Sequence, residues 1–302
     1  MLLLPDFRSK MEQDHQDDSI NDRCKQKIQM VQEKFFECYH RDPKSFHPND
    51  IEMIRTDEWW TLRFIKWNKE NEEKALKQMI QAFKWRKSFG INERDANDLP
   101  IEFAKSAALF PLGTDYKGRN VIYIRVKVYR KIRVLNLFFQ QFVAGIIDVV
   151  DKRSGPNGYV LVFDVAGIGW GNVDIEFLQF MIQLLQIYFP YGLRYTICHN
   201  VPKYLRPFWT MAKMFVGNHA EKTLRFSDGD EIKKYIPIES LPRYLGGECD
   251  FDFTDYEETR LCPSVRDLAS KYGFTQDEVN RYYKIFEPCL LEAEKLAKFG
   301  SS

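Results

Sequence analysis

Through the first third of the chain apolar residues recur with a helical period. Beyond it they alternate, or run on unbroken, as they do in strands. From about Ser19 to Gly90 the pattern predicts helices. Asn71 stands where an N-cap would, Glu72 and Glu73 fill the first turn, and Leu76, Met79, Ile80 and Phe83 follow at 3, 1, 3 spacing. Gly90 can end that helix in the left-handed conformation. Before it, Trp59, Trp60, Leu62, Phe64, Ile65 and Trp67 crowd a second helix, and packing in a small bundle accounts for these tryptophans.

After Gly113 the character changes. Asp115-Tyr-Lys-Gly118 reads as a turn, and Val121 to Val128 as a strand with Ile122, Ile124, Val126 and Val128 on one face. Val134 to Val150 returns to helical spacing. Tyr159 to Val165 is nearly all apolar, as a strand covered on both faces would be. A glycine-rich turn follows at Gly167, Gly169 and Gly171, then a helix from Ile175 to Tyr188 ended by Pro190, then a strand from Arg194 to Asn200. Strands alternating with long helices predict an α/β fold with a mostly parallel sheet flanked by helices, preceded by a helical bundle. Thr275 and Glu278 form a capping box that opens a last helix running toward Phe299, with a kink expected at Pro288. Residues 6–18 are polar and acid-rich and read as disordered.

Charge and composition narrow the function classes. Of 302 residues, 44 are Lys or Arg and 43 Asp or Glu, a net charge of +1, which argues against a nucleic-acid binder held by a basic face. Aromatic residues reach 15%, enough to line a large apolar site as well as a core. The six cysteines include no Cys-x-x-Cys pair and read as reduced thiols. No apolar run reaches the length of a membrane span and no secretory signal is evident, which predicts a soluble intracellular chain.

Catalytic patterns are missing from the sequence. The glycine-rich turn has Asn172 where the third glycine of a dinucleotide fingerprint would fall, and no acid ends the following strand, so it reads as a plain βα turn. No His-Glu-x-x-His, Gly-x-Ser-x-Gly or Walker A pattern occurs. Cys198 and His199 are neighbours in a strand and face opposite ways, so they form no dyad. Asp164 reads as an acid bonding nearby backbone at a strand end. The reading is therefore a non-enzyme, with no catalytic residue, no cofactor and no metal.

Two features remain. One is the cationic run Arg125, Lys127, Arg130, Lys131 and Arg133, either a solvated strand end or a contact for anionic head groups. The other is Val201 to Val216, where Leu205, Phe208, Trp209, Ala212, Phe215 and Val216 recur at 3, 1, 3, 3, 1 spacing with Lys203, Arg206 and Lys213 on the remaining side. Such a helix can pack on a core or touch a membrane.

A set of short motifs brings these observations together. Leu62-Arg-Phe-Ile-Lys66, Glu73-Lys-Ala-Leu76, Trp85-Arg-Lys87 with Gly90, Lys117-Gly-Arg119, Phe163-Asp-Val165-x-Gly167, Tyr188-Phe-Pro190, Asn200-x-Pro202 and Leu241-Pro-x-Tyr-Leu-Gly-Gly247 occur in that order. In this order they resemble the CRAL-TRIO (Sec14-like) lipid-binding proteins over roughly residues 55–250. The resemblance, together with the patterns above, divides the chain into a disordered segment at 1–18, a helical N-terminal region at 19–90, a lipid-binding domain at 91–250 and a helical tail at 251–302. It also implies an apolar cavity floored by the sheet and closed by a movable gate helix, which falls on Val201 to Val216. Lining residues would be Phe142, Ile146, Phe163, Met181, Leu184 and Leu185, with Leu205, Phe208, Met211, Ala212 and Phe215 from the gate.

The implied partners are a lipid or other hydrophobic small molecule and an anionic membrane surface. Contacts to membrane or head group would come from Arg63, Arg194, Lys203, Arg206, Trp209 and Lys213. The implied location is the cytoplasm, with peripheral membrane association. An alternative is a non-exchanging module on the same fold that recruits a protein partner through its C-terminal helix. The head-group positions depart from the family pattern. Members that exchange phosphoinositides carry an acid where this chain has Tyr191 and a Lys where it has Thr223. Those with a basic mouth carry Lys where it has Gly192 and Glu221. Phosphatidylinositol exchange through the usual contacts is not expected.

Overall fold

The computed structural model describes residues 22–93, 99–205, 223–249, 252 and 262–298. The N-terminal described residues form the helices α1 (Asp22–Arg41), α2 (Pro48–Thr56), α3 (Trp59–Trp67) and α4 (Glu72–Phe89). Asn71 caps α4 by accepting the Lys74 N–H, and Gly90 ends it at φ 75°. The apolar faces of these helices close on one another around Phe35, Ile54, Ile65, Ala75, Met79 and Ala82, all sealed from solvent.

After the short α5 (Ile101–Lys105) come the strands β1 (Leu109–Thr114), β2 (Asn120–Arg125), β3 (Tyr159–Asp164), β4 (Leu193–His199) and β5 (Leu224–Ser227). They form one sheet in sequence order. β1 runs antiparallel to β2, and the remaining pairs are parallel. Between β2 and β3 lies α6 (Asn136–Ser154). Between β3 and β4 lies α7 (Ile175–Gln183), which continues as a π-helical turn over Leu184–Tyr188. The chain closes with α8 (Val265–Tyr272) and α9 (Gln276–Lys298), which runs through Pro288. The expected α/β architecture, a helical N-terminal part followed by a mostly parallel sheet flanked by helices, is the one observed.

Three expectations change. The strand from Val121 ends at Arg125, and Val126–Val128 turns into 3₁₀ helix. The ladder to β3 stops at Arg125 opposite Asp164. Beyond it the Asn172 side-chain amide donates to the carbonyls of Lys127 (2.9 Å) and Tyr129 (2.8 Å), serving the backbone that no further strand serves. Second, residues Arg133–Asn157 are long and apolar enough, by length and composition, to cross a membrane. Asp148 and Asp151 of this segment are nonetheless buried in ion pairs with helices α4 and α3, which marks it as an internal helix of the fold. Third, α8 was not anticipated. Ser264 and Asp267 cap it reciprocally. The segment 1–18 lies outside the described residues.

Candidate functional site

Strand alternation sorts the sheet residues onto two faces, and the faces are packed differently. On one, Val121, Tyr123, Val160, Val162 and Ile197 meet Ile232, Ile236 and Leu241, all without exposure. On the other, Ile122 and Leu161 are sealed, but the next apolar residues along the same strands, Ile124 and Phe163, are only half-buried. Parallel register places Ile124, Phe163, Cys198 and Phe226 side by side in a row across four strands. Half-burial in the second and third strands of a five-stranded sheet means the apolar cluster is open there. The opening lies at the carboxyl ends of the parallel strands, where open α/β sheets hold their ligands.

Above this row sit α6 and the α7–π segment. The structure brings Phe142, Ile146, Phe163, Met181, Leu184 and Leu185 into one apolar cluster. Burial divides them: Phe142, Met181 and Leu184 are sealed within the packing, whereas Ile146, Phe163 and Leu185 are half-buried. Sequence spacing did not single out Tyr129, Phe139 and Phe177, whose rings join the same cluster; the Tyr129 and Phe177 centroids lie 4.7 Å apart.

The roof is held from outside by buried charge. Arg63 of α3 donates to Asp151 of α6 through both terminal nitrogens (2.5 and 3.0 Å) and, through Nε, to the Pro190 carbonyl (2.8 Å). One helical turn earlier on α6, Asp148 receives Arg86 of α4 at 2.7 Å, and Arg86 also bonds Asp50 of α2 at 3.0 Å. Burial opposes the charge on Arg86, but Asp148 and Asp50 outweigh it and raise its pKa. These ties correct one sequence expectation. Arg63 is 1% exposed and fully paired, so it does not meet a head group. They also give a reason for Gly192, where a Cβ would stand 2.1 Å from Asp151 Oδ1. No side chain larger than hydrogen fits beside that ion pair.

At the amino ends of the parallel strands, away from the opening, Arg194 stacks on the Tyr191 ring at 4.9 Å and donates to the Asn157 carbonyl. Tyr191 itself adopts φ 66° and packs 6.0 Å from Trp59. Of the gate segment, the structure describes Val201–Leu205, ending in a 3₁₀ turn at Lys203–Leu205 with Lys203 exposed. Tyr204 is exposed, yet its hydroxyl donates to the Ile168 carbonyl, which ties the start of this segment to the glycine-rich turn. Arg206, Phe208, Trp209, Met211, Ala212, Lys213 and Phe215 lie outside the described residues, as does the side chain of Leu205.

At the far end of the closed face Arg125, Asp164, His199 and Ser227 form a buried polar row in register. His199 Nδ1 lies 2.9 Å from Ser227 Oγ. Burial pulls the imidazole pKa down, against the opposing charge of Asp164. Asp164 accepts the Ala166 N–H at 3.1 Å, the backbone role expected of it. Burial pushes the Cys198 thiol up to about 12, the opposite of what a nucleophile needs.

A model of the CRAL/TRIO domain matches residues 104–247. Among curated proteins the chain is 21% identical over 250 residues to phosphatidylinositol transfer protein CSR1 of Eremothecium gossypii, covering 76% of this chain and 57% of that protein. It is 22% identical to CRAL-TRIO domain-containing protein C3H8.02 of Schizosaccharomyces pombe, covering 64% of this chain and 46% of that one. The matches thus span about half the length of these two relatives. Clavesin-1 of Xenopus laevis is 24% identical, with 83% of this chain and 78% of that protein covered. The crystal structure of Sfh5 superposes with a TM-score of 0.50 at 17% identity, covering 59% of this chain and 69% of that one, a likeness of fold.

Proposed function

Because residues 104–247 form a CRAL/TRIO domain, we propose that the protein takes a lipid or other hydrophobic molecule into the apolar space above Ile124 and Phe163 and exchanges it at membrane surfaces. The observation that carries this reading is the half-burial of those two residues, central in the sheet and at the carboxyl ends of parallel strands. One similar protein, CSR1 of Eremothecium gossypii, is named a phosphatidylinositol transfer protein.

The physics of such a device is exchange. Burying about fourteen methylenes of an acyl chain is worth roughly 11 kcal/mol at about 0.8 kcal/mol each, and a bilayer interior offers nearly the same. Transfer is then close to neutral, and the protein lowers the barrier through water. The gate at Val201 to Val216 would open at the membrane, Phe208, Trp209 and Phe215 entering the lipid while Lys203, Arg206 and Lys213 meet anionic head groups. Leu205, Met211 and Ala212 would line the inner side. Arg194, beside Tyr191 at the amino end of β4, lies away from this opening and is given no head-group role in this reading. The surface visited is cytoplasmic in this reading. No catalytic step is assigned: burial raises the Cys198 thiol, and His199 and Ser227 are sealed from solvent.

Reversing the charge of Lys203, Arg206 and Lys213 together should weaken flotation with anionic liposomes at least tenfold at low salt and leave the unfolding midpoint unchanged. Equal flotation of the variant would remove the membrane step.

A further inference from the structure

The cationic run that the sequence leaves open between solvated strand end and anion contact has a specific arrangement in the fold. Arg125 ends β2 on the closed face with its side chain wholly buried. Its Nη1 reaches the Ser106 carbonyl at 3.4 Å and its guanidinium lies over the Tyr244 ring at 5.6 Å. Its Nε and Nη2 make no hydrogen bond. A wholly buried arginine with unserved N–H groups is an unusual cost for a fold to carry.

Beside it stands one carboxylate from the other end of the chain. Glu292 of α9 approaches Arg125 Nη2 at 3.3 Å and Lys127 Nζ at 2.5 Å, both through the same oxygen, Oε1. Arg130 follows on the same stretch, its Nη1 donating to the Lys127 (2.7 Å) and Tyr129 (2.8 Å) carbonyls. Two cations therefore meet one carboxylate of α9, with Arg130 next along the chain and Asp164, the register neighbour of Arg125, as the further acid. Glu292 is 39% exposed and Lys127 31%, so the cluster is reached from solvent along the α9 side. The adjoining cleft lined by Arg130, Phe139, Tyr282 and Phe286 encloses about 20 Å³, room for about one water.

We propose that Arg125, Lys127 and Arg130 form a binding site for a phosphate group, which Glu292 occupies from within, so that phosphate binding and the docking of α9 compete. A phosphate offers three acceptor oxygens where Glu292 applies one. It can meet Lys127 and serve the free N–H groups of Arg125 together, the planar fork of arginine being suited to such oxygens. Its source would be either a phosphomonoester lipid head group, presented when the protein is at a membrane, or a soluble phosphate.

The test is amide hydrogen exchange across 276–298 in the full chain, with sodium phosphate compared against sodium chloride at matched ionic strength. Vesicles of phosphatidic acid are compared in parallel with vesicles of phosphatidylcholine. Glu292→Gln should lower the phosphate concentration needed for half-maximal response at least tenfold, and adding Lys127→Ala to that variant should raise it again at least fivefold. Both substitutions are at accessible side chains and spare the buried Arg125. A response to free phosphate assigns a soluble source as sufficient. A response to phosphatidic acid alone, still sharpened by Glu292→Gln, assigns the lipid head group. Phosphate acting no differently from chloride, together with phosphatidic acid acting no differently from phosphatidylcholine, in both the wild type and Glu292→Gln, would overturn the proposal.

Discussion

The two faces of the sheet are made by the same strands and differ in what limits their packing. The closed face, Val121, Tyr123, Val160, Val162 and Ile197, is filled by short apolar segments that follow β5, and nothing is left accessible. The open face begins equally sealed at Ile122 and Leu161 and then loosens by one pair, Ile124 and Phe163, under α6 and α7. A helix laid over incompletely filled space needs another means of staying in place. For α6 that means is charge: Asp148 and Asp151 grip Arg86 and Arg63 of the N-terminal layer instead of relying on what lies beneath. The layer of helices that precedes the domain thus acts as the outer anchor of the roof.

Breaking an anchor is the largest expected effect. Arg86→Ala leaves Asp50 buried without this partner and Asp148 with Lys152 alone, and should lower the unfolding free energy by about 3–5 kcal/mol. Arg55→Ala, removing an exposed pair with Glu52, should cost about 0–1 kcal/mol. Urea midpoints of the two variants measure the contrast directly.

Next in size is the contrast between faces. Ile197→Ala on the closed face should cost about 2–5 kcal/mol. Phe163→Ala removes a larger side chain yet should cost less than the about 3–5 kcal/mol usual for a buried phenylalanine, because its site is already open. If Phe163→Ala proves the more damaging of the pair in the same urea titration, the two faces are packed alike and the comparison fails.

How much of this could be read from the sequence depends on range. Local signals were sufficient: Asn71 and Gly90 bound α4, Thr275 and Glu278 open α9, and the unbroken apolar run at Tyr159 becomes the doubly covered β3. Ser264 and Asp267 carry the same kind of signal for α8. The end of β2 was misjudged because alternation continues through Val128 while the ladder stops, and the amide that ends it comes from Asn172, far along the chain. Arg63 and Asp151 are 88 positions apart, so neither spacing nor composition could pair them. A weaker clue existed: two acids three apart in the otherwise apolar stretch Ile146–Asp151, and one arginine amid Trp59–Ile65, each call for a buried partner. The gate residues Phe208, Trp209 and Phe215 lie outside the described residues and rest on the family resemblance.

A smaller effect belongs to the closed face alone. Because burial holds His199 below its usual pKa of 6.5, the unfolded chain takes up the proton first as the pH falls. The stability from neutral His199 is therefore complete above about pH 6.5 and is lost as the pH drops through and below that value. His199→Gln should flatten the fall of the thermal midpoint on the acid side, and an unaltered slope would show that the imidazole is not the group responsible.

The smallest expected signal concerns the head group. With Tyr191 and Gly192 taken up by packing against Trp59 and the Arg63–Asp151 pair, transfer of phosphatidylinositol between vesicles should not exceed that of a Lys203, Arg206 and Lys213 charge-reversal control. Clear transfer by the wild type would restore a phosphatidylinositol site that uses other contacts.

The central claim is that the open face holds a lipid. Its most direct test is native mass spectrometry of the protein purified from eukaryotic cells, followed by extraction and identification of what is bound. The account predicts one stoichiometric lipid, lost or much reduced when Phe163 is replaced by Asp in a variant that still folds. A protein that arrives empty, and that takes up nothing when mixed with liposomes of many lipid classes, would contradict it.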